Sequence, residues 1–171
     1  DSVEYKNEIA LDISEIPPMV AKPYSPDNTI LVEELSEIRI DQAFLGSCTN
    51  GRIEDLRIAA HLIKGKSVAH HVRFIVIPAS RKVYLQALKE GLIEILVNAG
   101  AMLEYPSCGP CIGGHKGVLG PEEVCISSSN RNFRGRMGDP TSETYLASPA
   151  VVTASAITGY ISLPSKPIWR S

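Results

Sequence analysis

The sequence predicts an α/β domain in three α/β/α layers with a mostly parallel sheet. Short apolar or β-branched runs alternate with segments of helical spacing, and only short connections separate them. The stretches with the most unusual composition, rich in Cys, Asn, Arg and Gly, each follow a predicted strand. Because sites in parallel sheets form beyond the carboxyl ends of the strands, we expect these stretches to lie together at one edge.

The composition is that of one ordinary soluble domain. The chain has 171 residues, of which 44% are hydrophobic and 21% are charged. Its net charge of −2, from 17 basic and 19 acidic residues, gives no general attraction to nucleic acid or to an anionic membrane. No apolar run reaches the roughly 18–20 residues of a membrane-spanning helix, and no signal-peptide pattern is present. We therefore expect a cytoplasmic protein.

The first forty residues predict a strand and a linker that arrive from a preceding domain. Residues 1–14 alternate weakly between apolar and polar side chains, which predicts a strand. Residues 16–28 contain four prolines and predict an extended connector. The chain opens without a capping element, so we expect it to be a piece of a longer protein. Residues 41–164 then form the α/β domain, and residues 165–171 form a tail.

The first half of this domain contains two strands around one helix. Residues 42–46 are apolar and precede turn residues, which predicts a buried strand. Asn50 is expected to cap a helix over 53–63 that ends at Gly65. Its apolar side chains recur at helical spacing, namely Ile53, Leu56, Ala59, Ala60 and Ile63. The β-branched run 72–77 closes at a proline and predicts the next strand.

The second half continues the alternation. Ser80 is expected to cap a helix that reaches about residue 91, and helical character continues over 92–98. The side chains expected to face inward are Val83, Leu88 and Leu92. Strands are predicted over 101–105 and 124–128. A serine followed by a proline at 148–149 begins a last helix that ends before residue 159.

Three of the four cysteines lie in glycine-containing loops. A cysteine set in a chain without a secretory signal is more often a metal or catalytic site than a disulfide framework. Cys108 and Cys111 form a Cys-x-x-Cys pair, and Cys48 follows the strand over 42–46. Cys125 lies inside a predicted buried strand, where a cysteine is ordinary core. Three thiols are therefore candidates for chemistry.

Three kinds of site are open to these thiols. Cys-Gly-Pro-Cys also occurs in thiol–disulfide enzymes, but two glycines follow within a turn and disfavour the helix that such enzymes use. A structural zinc site needs four ligands, and His115 is the candidate for the fourth. An iron–sulfur cluster with three thiolates would leave one iron open to bind hydroxyl and carboxylate groups.

An arginine-rich loop follows the strand over 124–128. Arg131 and Arg136 are expected at the same edge as the thiols, where their guanidiniums could hold a carboxylate. Asn130 could donate to a cluster sulfur or simply form a turn. Arg134 lies between the two arginines, and exposure to solvent is an equally good expectation for it.

The residues of these loops resemble the aconitase superfamily. The resemblance rests on Gly-Ser-Cys-Thr-Asn-Gly at 46–51, Cys-Gly-Pro-Cys at 108–111 and Ser-Asn-Arg-Asn-Phe-Arg-Gly-Arg-Met-Gly at 129–138, in this order and at these intervals. Within the superfamily, the sequence is most similar to the large subunits of isopropylmalate isomerase and homoaconitase. Pro-Tyr-Ser-Pro-Asp-Asn at 23–28 also fits.

The resemblance implies an aconitase-type, cluster-binding third domain of a hydro-lyase. It implies a [4Fe-4S] cluster on Cys48, Cys108 and Cys111, with Asn130, Arg131 and Arg136 facing the cluster and the substrate. The implied reaction is the reversible dehydration and rehydration of a small hydroxy di- or tricarboxylic acid, as in leucine biosynthesis or, for homoaconitase, lysine or coenzyme B biosynthesis. The implied catalytic base comes from a small subunit or swivelling domain, and other groups come from preceding domains. On its own, the chain is expected to be inactive.

Overall fold

The computed structural model describes residues 6–165, whose strands form a single seven-stranded sheet. The strands are β1 (Met19–Ala21), β2 (Thr29–Leu31), β3 (Gln42–Gly46), β4 (Arg73–Ile77), β5 (Met102–Leu103), β6 (Val124–Ser127) and β7 (Glu143–Leu146). The α-helices are α1 (Ser47–Asn50), α2 (Ile53–Ile63), α3 (Arg81–Lys89), α4 (Leu92–Asn98) and α5 (Pro149–Thr158). Short 3-10 turns cover Ile13–Glu15, Val32–Leu35 and Gly109–Ile112. Within residues 6–165, the helices are all too short or too polar to cross a bilayer.

The order of the strands creates a crevice at the middle of the sheet. Across the sheet the order is β2-β1-β7-β6-β3-β4-β5. The strands β3 to β7 run parallel, whereas β1 pairs antiparallel with both β2 and β7. From β3 the chain moves to β4 on one side, and it later enters β6 on the other side. The carboxyl ends of β3 and β6 therefore flank the topological switch point, where open parallel sheets bind ligands.

One face of the sheet carries the main hydrophobic core and the long helices. Leu45 and Val76 point from the central strands toward this face and pack with side chains of α2, α4 and α5. Leu56 of α2, Leu96 of α4 and Val152 of α5 have no exposed surface. Burying an aliphatic side chain of this size contributes about 1.5–3 kcal/mol, so this face holds most of the folding energy.

Two loops cover the opposite face. We call residues 104–120, between β5 and β6, the Cys loop, and residues 128–140, after β6, the Arg loop. Phe44 and Ile75 project from the strands and pack against Leu119 of the Cys loop and Met137 of the Arg loop. In the part of the chain that the structure describes, the third layer thus consists of loops and one 3-10 turn instead of α-helices.

The α/β class and the mostly parallel sheet are confirmed. The strand over 42–46 and the helices over 53–63 and 92–98 have the predicted bounds. The predicted caps are also present, because Ser80 Oγ accepts a hydrogen bond from the Val83 amide and Ser148 Oγ accepts one from the Val151 amide. The strand over 101–105 is shorter than predicted, since only two of its residues pair with β4.

The prediction of a strand near the amino terminus is wrong for its described part. Residues 6–12 form no strand, a 3-10 turn follows, and Ile9 is 83% exposed. An alternating pattern forms a strand only where a neighbour completes its hydrogen bonds. Residues 1–5 of this prediction, and residues 166–171 of the predicted tail, lie outside the described residues. The predicted connector instead contributes β1 to the sheet, and a domain boundary near residue 40 stays a prediction.

Two local predictions are corrected, and one strand was missed. Leu88 was expected to face inward but is 55% exposed, because the small Ala87 takes the buried position on α3. Asn50 does not cap α2, whose cap is Arg52 with its amide bonded to the Asp55 carboxylate at 2.9 Å. The strand β7 was not predicted, because its four residues, Glu-Thr-Tyr-Leu, carry little apolar signal.

Candidate functional site

The turn from β3 into α1 places Cys48 on the surface at the switch point. A Cβ at Gly46 would overlap the carbonyl oxygen of Ile77, so only glycine allows this close approach to β4. Ser47, which is buried, adopts a positive φ of 80° that non-glycine residues rarely adopt. Strained backbone of this kind is common at functional sites. The Cys48 thiol that follows it is exposed and forms no disulfide.

Hydrogen bonds join the Cys48 turn to the start of the Arg loop. The Gly46 amide donates to Ser128 Oγ at 2.9 Å, and the side-chain amide of Asn50 donates to the Ser128 carbonyl oxygen. Thr49 Oγ1 donates to Asn130 Oδ1 at 2.6 Å. The two segments on either side of the switch point are therefore held together. The sequence indicates Asn130 as a site residue and Asn50 as a helix cap. It assigns no role to Thr49 and Ser128, since their partners lie about 80 residues away.

The Cys loop reaches the same edge from the other side. Cys108 is exposed and directly precedes the 3-10 turn Gly109–Ile112. Cys111 lies within that turn and is half-buried. A Cβ at Gly109 would overlap the side chain of Ile77, the last residue of β4. The backbone of the Cys48 turn also lies against Ile77, so both thiol-bearing segments contact this residue.

This geometry bears on the two rival interpretations of the thiols. Cys108 precedes only a single 3-10 turn that ends at Gly113, so it does not open an α-helix as the reactive cysteine of disulfide-exchange enzymes does. Within residues 6–165, the Cys, His, Asp and Glu side chains do not form a group of three or more that could hold a metal ion. His115, the candidate fourth zinc ligand, is exposed on the Cys loop. The described residues therefore offer no preformed site for a single zinc ion.

Cys125 is a core residue, as the sequence predicted. Its side chain has no exposed surface and packs in the small core beneath the two loops. Burial raises the pKa of this thiol to about 12, because the thiolate would lose its hydration. Cys125 is therefore chemically distinct from the three surface thiols.

The Arg loop presents guanidiniums that have no acidic partner. Among residues 6–165, neither Arg131 nor Arg134 nor Arg136 forms an ion pair. Arg131 is exposed, and Arg134 lies over the ring of Tyr24 at 4.3 Å. Arg136 is half-buried, and its Nε atom is buried without a hydrogen-bond partner. A buried, unpaired donor on a cation is costly, and an anionic ligand would remove that cost.

The Arg loop is anchored to the proline-rich segment over 16–28. Asn132 has no exposed surface, and its Nδ2 atom donates to the carbonyl oxygens of Lys22 at 2.7 Å and Ser25 at 3.4 Å. Together with the stacking of Arg134 on Tyr24, these contacts fix the middle of the loop. Sequence reasoning assigned no role to Asn132, because its partners are more than 100 residues away.

Comparison with known proteins identifies the family. The model of the aconitase family (aconitate hydratase) matches residues 32–159. A 3-isopropylmalate dehydratase large subunit from Halothermothrix orenii is 57% identical over 166 residues, which cover 97% of this chain and 40% of that protein. One from Hydrogenobaculum sp. is 61% identical over 155 residues, which cover 91% of this chain and 37% of that protein. A 3-isopropylmalate dehydratase large subunit 1 from Methanopyrus kandleri is 57% identical over 160 residues.

These relatives are much longer than the present sequence. The chain spans about 40% of the length of the curated relatives that it matches. The matched residues include the Cys48 turn, the Cys loop and the Arg loop. On the extent of the family match and the identity to these relatives, this chain belongs to the aconitase family.

Proposed function

We propose that this chain is the cluster-binding part of the large subunit of a [4Fe-4S]-dependent hydro-lyase, with 3-isopropylmalate as the substrate. One observation supports the proposal: the segments bearing Cys48, Cys108 and Cys111 both contact Ile77, and the Arg loop, bonded to the first of them through Thr49 and Asn130, carries arginines that form no ion pair among residues 6–165. Membership of the aconitase family and the names of the relatives support it.

The residues present fit such a cluster. The three thiols are free and at least partly accessible, and thiolates on glycine-rich loops are the usual ligands of iron–sulfur clusters. Cys48, Cys108 and Cys111 would hold the cluster through their thiolates. Gly46 and Gly109 allow close backbone approach to β4 where a side chain would not fit.

When bound, the cluster supplies a Lewis acid at the iron that no cysteine holds. The part of this chain is to hold and orient the substrate. Arg131 and Arg136 donate charge-assisted hydrogen bonds to its carboxylates, each worth about 1.5–3 kcal/mol. Asn130 accepts from Thr49 through Oδ1, which leaves its Nδ2 atom to donate toward a thiolate or the substrate.

The remaining groups of the active site come from elsewhere in the proposed enzyme. The relatives carry the words "large subunit" in their names, which supports a small subunit as a partner. We propose that this subunit, together with further large-subunit domains, supplies the base that removes the substrate proton. The cytoplasmic location and a place in leucine biosynthesis are part of the same proposal.

Anaerobic reconstitution of the chain with iron and sulfide tests the proposal. We expect about four irons and four sulfides per chain and a visible charge-transfer absorbance. Cys48→Ser should abolish loading, whereas Cys125→Ser should not. Zinc bound without sulfide would overturn the cluster in favour of a structural metal, and catalysed disulfide reduction that persists in Cys48→Ser would favour a redox module. The substrate is tested by assaying the complete protein with its small subunit on isopropylmalate and homocitrate.

A further inference from the structure

A fully buried glutamine lies beneath the Cys loop, at the opposite end of β3 from the thiols. Gln42 has no exposed surface, and both ends of its amide are occupied. Its Nε2 atom donates to the Gly117 carbonyl oxygen at 2.8 Å, and its Oε1 atom accepts from Arg73 Nε at 3.1 Å. This side chain therefore connects the sheet to the return arm of the Cys loop, a contact that crosses 75 positions of sequence.

An ion pair fixes the orientation of that amide. The two terminal nitrogens of Arg73 donate to the two oxygens of Glu123 at 2.8 and 2.7 Å. This pair lowers the pKa of the Glu123 carboxyl, and the Gly120 amide also donates to the same carboxylate at 2.8 Å. The network thus holds the Cys loop at Gly117 and again at Gly120.

From Gly117 the connection continues into the Arg loop. The Leu119 amide donates to the Met137 carbonyl oxygen at 2.9 Å, and the Asp139 amide donates to the Leu119 carbonyl oxygen at 2.9 Å. A Cβ at Gly113 would lie 3.1 Å from the Arg136 carbonyl oxygen. The return arm of the Cys loop and the end of the Arg loop therefore form one continuous layer over the sheet.

We propose that Gln42 is a positioning residue that sets the placement of Cys111 and Arg136 together, through Gly117. Gln42 contacts the core thiol of Cys125 and none of Cys48, Cys108 and Cys111, so it acts on those three only by holding this layer on the sheet. Without the Gln42 amide, the half-buried Gly117 carbonyl would lose its donor, and this part of the layer would lift to reach water. The consequence for cluster and substrate binding rests on the proposed function, whereas the holding of the layer does not.

The 171-residue chain itself provides the test. In the cluster-free chain, we would measure the alkylation rates of the individual cysteines by mass spectrometry. Cys111 reports lifting of the layer, because it packs against the small core beneath it. Global unfolding is followed separately by amide hydrogen exchange in α2, which packs in the main core on the other face of the sheet, because Cys125 lies beneath the layer and contacts Gln42 itself. Gln42→Met should accelerate Cys111 about fivefold, from the loss of one hydrogen bond, and leave amide exchange in α2 unchanged.

Gln86→Met is the matched control. Gln86 donates to Glu90, and both oxygens of Glu90 pair with Arg57. Gln86→Met therefore perturbs a similar network of amide, carboxylate and guanidinium, but on the surface of the helical face. This variant should leave the Cys111 rate unchanged. The proposal is overturned if Gln42→Met has no effect on Cys111, or if amide exchange in α2 accelerates in parallel, which would show general destabilisation.

A second variant covers the case in which Gln42→Met does not fold. Gln42→Glu keeps an acceptor for Arg73, whose charge holds the new carboxyl ionised at the alkaline pH of the alkylation, so the donor to Gly117 is removed and Cys111 should again be accelerated selectively. If it does not, Gln42 has no positioning role. On the reconstituted protein, both variants should lose the cluster several-fold faster than Gln86→Met. A wild-type chain that takes up no cluster, while Gln42 variants still accelerate Cys111, would remove the proposed function and leave the positioning role intact.

Discussion

Thr49 Oγ1 donates a 2.6 Å hydrogen bond to Asn130 Oδ1 across the crevice between β3 and β6. This contact joins the residue after Cys48 to the residue before Arg131, so a proposed cluster ligand and a proposed substrate ligand share one support. It also fixes which end of the Asn130 amide faces away from Thr49.

Thr49→Val keeps the shape of the side chain and removes this bond. We expect a small loss of stability, about 1 kcal/mol, because the Thr49 side chain is only half-buried. The rate of cluster release from the reconstituted chain should rise more clearly, since the Cys48 and Arg131 segments are no longer joined. Thr141→Val, which removes the bond from Thr141 to Asp139, is the control and should leave that rate unchanged. Equal release rates in the two variants would contradict the prediction.

Gly46→Ala tests the close approach of the Cys48 turn to β4. Here an added Cβ would overlap the Ile77 carbonyl oxygen, and backbone cannot move aside as a side-chain end can. We expect a loss of more than about 2–3 kcal/mol in the free energy of unfolding, measured in urea. Gly65→Ala is the matched control, because Gly65 also has a positive φ but has no atom near the added Cβ. Its cost should be about 1 kcal/mol, from backbone strain alone. Similar losses in both variants would rule out the steric explanation.

Patterns local in the chain predicted most of the fold, and they supplied the candidate site residues. The apolar run of β3 and the helical spacing of Leu56 and Ile63 follow from neighbouring residues, and the structure has them at the predicted positions. The positions of the thiol segments at one edge followed from parallel topology alone. The contacts of Gln42 and Asn132 did not follow, because each side chain donates to a carbonyl oxygen 75 or more positions away. A buried amide has no periodicity that would distinguish it from an exposed one.

Glu123→Gln should change the dependence of stability on pH. The ion pair with Arg73 lowers the pKa of Glu123 from an ordinary value of 4.5. A carboxylate with a lowered pKa stabilises the fold above that ordinary value, and this contribution is lost as the pH falls through the folded-state pKa. The wild-type chain should therefore lose stability below about pH 4.5 more steeply than Glu123→Gln, and the variant should be less stable at pH 7.

Glu90→Gln is the control for this pH experiment. Glu90 also has a lowered pKa from a two-oxygen pair with Arg57, but this pair is on the surface of the helical face. Solvent screens such pairs, so its removal should alter the pH profile less. Urea midpoints measured from pH 3 to pH 7 decide between the two. A flat difference between wild type and Glu123→Gln across this range would contradict the linkage.

Arg136→Met should weaken substrate binding in the complete protein with its small subunit. The buried, unpartnered Nε atom of Arg136 is suited to an anion, and a charge-assisted bond is worth about 1.5–3 kcal/mol. We therefore expect KM to rise about 10- to 150-fold. Arg134→Met is the control: Arg134 stacks on Tyr24, so its removal should change KM much less. If the two variants raise KM equally, the assignment of Arg136 to the substrate is wrong.

Asn132→Asp tests whether the Arg loop depends on the proline-rich segment over 16–28. The Asn132 Nδ2 atom donates to the carbonyl oxygens of Lys22 and Ser25, and the whole side chain is buried. A carboxylate there would place a negative charge against two carbonyl oxygens, so the segment should detach or the carboxyl should take up a proton. We expect faster amide hydrogen exchange in residues 22–28 and 131–136, and a loss of about 2–3 kcal/mol in stability at pH 7. Asn98→Asp, at an exposed position on α4, should change neither.

The defect of Asn132→Asp should shrink as the pH falls and the new carboxyl is protonated, because a protonated carboxyl can again donate to one carbonyl oxygen. A defect that stays constant with pH would mean that the damage is steric, and that the loop does not depend on this donor.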